Sequence, residues 1–265
     1  TSRTRLGNIP IINNRKGIKQ YGWRLVKGML QLKTALHQFF KSKNQDITLA
    51  EFINQNDIEE VFWHGAVMPV LYTICTCEPK TIGEWPAKPL LIFLKQLTDG
   101  DALLRLQGGT AGFVNKLVEG IEIHSGSAVV EVKYEDEQVR VANAVGETFN
   151  FDRVVIATPT TCLDNFLDEA QFADDLNLLK QFKFEEGELV IHTDSSVMPP
   201  RRKDWCVLSH MMDRKFTRQH FSVWLNSIEP TLVGKNPVFQ TWRPVTEIDP
   251  KKIISNVKLT RAVVD

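Results

Sequence analysis

The tightest constraint on the fold lies near the middle of the chain. The run Phe149–Ile156 passes into Val154-Val155-Ile156-Ala157, apolar without alternation, and is stopped by Thr158-Pro159-Thr160. A strand that is apolar on both sides must be covered on both faces, as in a parallel sheet flanked by helices. The order leading to it is specific. Gly108-Gly109 precedes Thr110, the expected N-cap of a helix with Phe113, Val114, Leu117 and Val118 on one face, and Gly120 is placed to close that helix in the left-handed conformation. Two β-rich runs follow, Ala128–Tyr134 and Gln138–Ala142, joined by the acidic turn Glu135-Asp136-Glu137.

The flanking regions have different textures. The first hundred residues read as helical. From Tyr21 to Phe40, Leu25, Met29, Leu32, Leu36 and Phe39 recur at spacings of three or four and form one apolar stripe. Thr48-Leu-Ala-Glu51 has the pattern of a capping box, and short helices are expected at about 57–75 and 87–98. After about residue 184 the periodicity changes. Glu188–Thr193, Trp205–Met211, Gln219–Asn226 and Pro237–Trp242 are strand-like runs separated by turns, which predicts an antiparallel sheet. The fold class is therefore α/β in a mixed α+β sense.

Several function classes are disfavoured. Cys75, Cys77, Cys162 and Cys206 form no CxxC pair, no HExxH occurs, and free thiols with no metal site are expected. His192-Thr193-Asp194-Ser195 lacks the GxSxG elbow that a hydrolase triad requires. No apolar run reaches the ~18 residues of a membrane span. Lys+Arg and Asp+Glu are both 32, so net charge points to no nucleic acid. That balance hides an asymmetry: residues 1–45 hold ten basic residues and no acid. Arg24, Lys27, Gln31, Thr34, Gln38 and Lys41 fall opposite the apolar stripe, so the segment 15–43 reads either as a helix with a solvated basic face or as a peripheral membrane contact.

Leu106-Gln-Gly-Gly-Thr-Ala-Gly-Phe-Val-Asn-Lys-Leu117 resembles the GG-x-x-x-L helix of flavin-containing amine oxidases and phytoene-desaturase-like enzymes. Ser127-Ala-Val-Val-Glu-Val132 and Asp152-Arg-Val-Val-Ile-Ala-Thr-Pro159 resemble the two strands that follow it there. His192-Thr-Asp194, Met198-Pro-Pro-Arg-Arg202 with Trp205, Val223-Trp-Leu-Asn226 and Pro237-Val-Phe239 resemble one branch, the bacterial predicted NAD/FAD-binding oxidoreductases. The resemblance extends over roughly residues 20–265. It departs at both ends: no strand–GxGxxG–helix cradles a pyrophosphate, and Thr260–Asp265, where the family's His-Pro stretch before its Gly-rich flavin segment would be expected, lacks the His-Pro. The chain thus reads as an internal slice, inactive and weak in FAD binding on its own.

What the resemblance implies is a two-domain FAD-dependent oxidoreductase, with a Rossmann-like FAD/NAD(P)-binding portion at 104–165. The substrate domain would be helical at 1–103 and an antiparallel sheet at 166–265. Carried over residue by residue, Val129 matches the valine whose backbone bonds adenine, Ala157, Thr158 and Pro159 match the strand end beside the adenosine, and Gly108 and Gly109 match the glycine pair. The implied reaction is hydride transfer from a C–H or C–N centre of an apolar or amine substrate to flavin, the flavin doing the chemistry. His64, His192 and His210 fall where a substrate domain would face the flavin, with packed structural histidines as the alternative, and no catalytic residue is assigned. Phe39, Phe40, Phe62, Trp63, Trp85 and Phe93 read as core or as a greasy channel. The expected location is cytoplasmic, with or without membrane contact. The competing reading is a non-enzymatic module that docks through its basic amino-terminal segment to anionic lipid or a protein.

Overall fold

The computed structural model describes residues 2–6, 9–12, 15–99, 106, 108–213 and 215–263, with side chains from Lys19 onward except at 97–99. In chain order the elements are β1 (Ser2–Leu6), β2 (Ile9–Ile12), α1 (Arg15–Lys41), α2 (Leu49–Gln55), α3 (Glu60–Phe62), α4 (Met68–Cys75), α5 (Pro79–Glu84) and α6 (Ala87–Asp99). They continue with α7 (Gly109–Leu117), β3 (Val129–Glu135), β4 (Gln138–Asn143), β5 (Thr148–Phe151) and α8 (Glu169–Leu179). The last stretch contributes β6 (Phe184–His192), β7 (Leu208–Met212), β8 (Gln219–Trp224), β9 (Phe239–Trp242) and β10 (Ile253–Ala262). Strand and helix mix as the sequence predicts, and every sheet formed by the described residues is antiparallel. The chain divides into two units, residues 1–101 with 184–265, and residues 102–183.

In the first unit the expected stripe on α1 becomes a core. Leu32, Leu36 and Phe39 are buried, with Leu25 and Met29 packed against the same cluster. The Thr48 hydroxyl accepts from the Glu51 N–H at 3.2 Å while the Glu51 carboxylate accepts from the Thr48 N–H at 2.8 Å, so both orphan donors at the start of α2 are satisfied. The helix expected over 57–75 is broken into α3, a π-helical turn at Trp63–Val67 and α4. The hairpin β1–β2 and the six-residue α5 were not foreseen, being too short to show a period. Phe39, Phe62 and Trp63 are buried in the helical cluster, and Phe40 and Trp85 pack against it, so these rings make core.

The five-stranded sheet has the order β10-β6-β9-β8-β7. Its period of two splits the side chains cleanly. Phe221, Trp242 and Leu189 face the helical cluster, whereas Val190, Phe239 and Trp224 face a second cluster with Val197, Met198, Trp205 and Ile248. β10, missing from the sequence reading, pairs with β6 from Ile253↔His192 to Ala262↔Phe184 and is exposed along its length.

The second unit departs from expectation where the sequence looked most decisive. The strand expected over 149–156 ends at Phe151, and Val154, Val155 and Ile156 belong to no strand, with Val155 91% exposed. A strand apolar on both faces needs a neighbour on each edge and a layer on each side. The described residues of this unit supply only the meander β3-β4-β5, so its Rossmann-like part has no parallel sheet here. Helix α7 starts at Gly109 with Gly108, not Thr110, as N-cap, and it ends at Leu117, with Gly120 left-handed in the turn beyond. Its expected apolar face, Phe113, Val114 and Leu117, is exposed. Residues 166–183 belong to this unit because β3 is bonded to them: Val132 N–H donates to Phe166 O at 2.7 Å, and Gln171 exchanges bonds with the Tyr134 backbone.

Two glycines in the first unit are required by contact. A Cβ on Gly28 would stand 2.3 Å from Phe62 Cβ, and one on Gly187 would stand 2.2 Å from Trp242 Cζ2. Gly→Ala inside an exposed helix ordinarily stabilises by about 1 kcal/mol. Gly28→Ala should instead lower the urea unfolding midpoint, by an overpacking cost of about 1–3 kcal/mol. Gly83→Ala, whose nearest neighbour would lie at 3.7 Å, should leave the midpoint unchanged or raise it.

Candidate functional site

The residues singled out for nucleotide binding all lie in the second unit. Gly108 and Gly109 adopt φ of +81° and +67° at the start of α7. A Cβ on Gly109 would meet nothing within 4 Å, so the backbone conformation, and not a lack of room, selects glycine there. Ala157, Thr158 and Pro159 are exposed, Pro159 opening a short 3-10 helix at Thr160–Asn165. Val129 is the first residue of β3 and half-exposed.

The register at Val129 matters more than its exposure. Val129 faces Asn143, but Glu131 faces Ala142, so Val130 is an extra residue, a bulge. Beyond the bulge, Val132 and Tyr134 direct their N–H groups away from β4, to Phe166 O and Gln171 Oε1. Before it, Ala128 directs its carbonyl towards β4, where it accepts from Ala144 N–H at 2.8 Å. Backbone groups alternate sides along a strand. With Ala128 inward, Val129 must point its N–H and C=O outward, and the bulge is what reconciles this with Val132. No hydrogen bond outside the β3–β4 ladder reaches Val129 among the described residues. One donor and one acceptor are therefore presented side by side on a free strand edge. The turn behind it is held by Asn143, whose side chain donates to Ser127 Oγ and Glu147 Oε2 and accepts from Val145 and Glu147 N–H.

In the first unit the structure brings together motifs that the sequence only set in order. Trp205 packs edge-on against Trp224 and Phe239, with ring centroids 5.4 and 5.5 Å away. Arg202 lies over both tryptophans, and Trp205 Nε1–H donates to Pro199 O. Such aromatic pairs stabilise by about 0.5–1.5 kcal/mol each beyond their buried area. Asn226 accepts from Val238 N–H and donates to Leu232 O. These motifs hold a cover over one face of the sheet.

Beneath the cover runs a buried polar file. His192 Nδ1 accepts from Asp194 N–H at 3.1 Å, which leaves the proton on Nε2 to donate to Thr241 Oγ1 at 2.8 Å. The Thr241 hydroxyl shares a further hydrogen bond with Ser222 Oγ at 2.7 Å. Burial pushes the Asp194 carboxyl up, but the N–H groups of Asp249 and Ser196 and the Lys252 ammonium outweigh it and hold it at about 2. His220, fully buried, accepts from Val245 N–H at Nδ1 and has no partner at Nε2. On the helical face, His210 Nε2 donates to Thr73 Oγ1, itself a donor to Pro69 O. His64 is half-buried and stacks on Phe216 at 5.1 Å. The histidines flagged for a flavin-facing role are thus tied up in packing.

The four cysteines are free thiols, and burial raises Cys75 to about 12 and Cys77 to about 11. Among the described residues no cluster could hold a metal ion, and no helix is long and apolar enough to cross a membrane. An open cleft of about 670 Å³ lies beside Glu185, Arg218, Arg243 and Lys258. Arg243 pairs there with Glu78 and with Glu185 at 2.7 Å, Lys258 with Glu186 at 3.3 Å, and Arg218 donates to the Val245 carbonyl at 3.3 Å.

Comparison with known proteins decides the family. The model of the flavin containing amine oxidoreductases matches residues 23–246. The chain belongs to that family. No curated protein matches it. Among solved structures it is similar to an oxidoreductase from Methanosarcina mazei, with 10% identity, a TM-score of 0.60 and coverage of 88% of this chain and 60% of that one. It is also similar to a fatty acid isomerase from P. acnes described as producing CLA, with 12% identity, a TM-score of 0.59 and coverage of 96% and 65%. The chain therefore spans under two thirds of the length of either structure, and the likeness is one of fold.

The histidine geometry sets a pH dependence. Burial drives His210 and His220 down to about 4, each lowered further by a neighbouring histidine. As pH falls below about 6.5 the unfolded chain takes up protons that the folded rings refuse until about 4, so stability declines across that window. Urea midpoints measured through it should fall, by on the order of 3 kcal/mol for a fully buried ring. His220→Asn, which keeps an acceptor for Val245 N–H but does not titrate, should flatten the decline.

Proposed function

We propose that this chain forms part of an FAD-dependent oxidoreductase acting on an apolar or amine small molecule, with the adenosine end of the cofactor held at Val129. The supporting observation is the bulge at Val130, which turns one N–H and one C=O of Val129 to a free edge. Adenine offers a ring nitrogen that accepts and an exocyclic amine that donates, so a single outward-facing residue can satisfy both. Ala157 and Thr158 are small and exposed, and allow a flat ring system to approach backbone closely. The described residues fit the adenosine and not the pyrophosphate, for which the chain has no GxGxxG turn.

Bound flavin would accept a hydride from a C–H or C–N centre, and the role of the protein is to bind, orient and exclude water. Val129 contributes binding alone. In the first unit the aromatic cover and the buried His192-Thr241-Ser222 file keep the sheet rigid and supply no free acid or base.

Proline at an outward-facing strand position removes the N–H without breaking a ladder bond. In the flavin-loaded protein, Val129→Pro should keep its far-UV dichroism and bind FAD about tenfold more weakly, as befits one lost hydrogen bond to a buried acceptor. Val129→Ala, with the backbone intact, should retain FAD normally. Equal retention by both variants would remove the adenine assignment.

A further inference from the structure

Helix α1 has two apolar faces, and only one is used. The inner face, Leu32, Leu36 and Phe39, is core. On the outer face Trp23 is 77% exposed and Leu30 56%, and Val26 is exposed beside them. At 100° per residue these three fall within about 60° of one another. Lys19, Lys27, Lys33 and Lys41 lie along and beside this strip, all exposed, and none makes an ion pair among the described residues, Lys27 acting on Glu59 only through its longer-range charge. No acidic residue occurs anywhere in the 27 residues of α1. Arg24 lies on the flank and is occupied, donating to Glu59 at 2.7 Å.

We propose that this outer face docks the protein on an anionic lipid surface. An exposed indole among aliphatic side chains, bordered by unpaired lysines, matches the layering of a bilayer interface. Apolar atoms enter the acyl boundary, the indole N–H stays at headgroup level, and lysine stems reach outward to the phosphates. The face is that of one convex helix with no groove, which fits a deformable planar surface better than a second folded protein. The charge sign selects anionic lipid, because each lysine at such a surface adds attraction that neutral headgroups cannot give. The proposal is independent of the flavin reading, since it rests on α1 alone.

The test is co-sedimentation of the whole chain with vesicles of phosphatidylcholine, with and without roughly one-third phosphatidylglycerol. The expected result is partition onto the anionic vesicles only, falling as added salt shortens the screening length. Lys27→Gln with Lys33→Gln should weaken partition by roughly 30-fold, two lysines at about a factor of five each. Trp23→Ala with Leu30→Ala should weaken it at unchanged salt sensitivity. All four positions are exposed, so far-UV dichroism should match the parent. Equal partition onto neutral vesicles, or indifference to the lysine substitutions, would overturn the proposal. So would failure to bind any vesicle alongside capture by polyglutamate, which would assign the face to an acidic protein.

Discussion

The first unit depends on one side chain more than on any other. Trp242 lies across Gly187 so closely that no Cβ fits between them, is buried in the helical cluster, and donates its indole N–H to Thr76 O at the left-handed end of α4. The next residue, Arg243, has a φ of +49°, gives its N–H to Glu188 O, and carries its guanidinium back to Glu78 and Glu185. Arg261 of β10 reaches the Thr76 hydroxyl at 2.9 Å. One short stretch of β9 thus ties β6, β10 and the end of α4 together. The register follows from it. With Trp242 opposite Leu189 and Phe221, a slip of β9 by one residue would carry Trp242 out of the helical core that those two neighbours face.

That register also determines what the other face can hold. Val190, Phe239 and Trp224 are forced under the Trp205 cover, and His192, Thr241, Ser222 and His220 are forced inside with them. Polar groups so placed must find partners. Most do, in a file that begins at the Asp194 N–H, which fixes the His192 tautomer, and runs on through Thr241 to Ser222. The motifs by which this region resembles one oxidoreductase branch are accounted for by that packing. They position a sheet.

Legibility followed local physics. The stripe of α1, the capping box at Thr48, the hairpin at Glu135–Glu137 and the antiparallel strands after residue 184 were readable because each is written in neighbouring residues. β10 was not, since its exposed residues show no alternation against a core. Phe149–Ile156 misled for the opposite reason. Its composition describes the surroundings that the segment is suited to, whereas pairing depends on which strands lie beside it, and beyond Phe151 the described residues offer none. The aromatic residues of the first hundred could be named, but their role as core was fixed only by the side on which α1 and α3 meet.

The sequence by itself determined the family and the mixed fold class, because motif order and short-range periodicity survive without coordinates. Tertiary structure decided the direction in which individual residues act. Val129 became a candidate ligand-binding residue through a one-residue bulge that reverses the sides of its peptide groups. His192, His210 and His220 became packing groups because strand register buries them. Trp23 and Leu30 became surface because the core is already filled from the other side of their helix. Each of these outcomes depends on pairing between segments far apart in the chain, which no local pattern records.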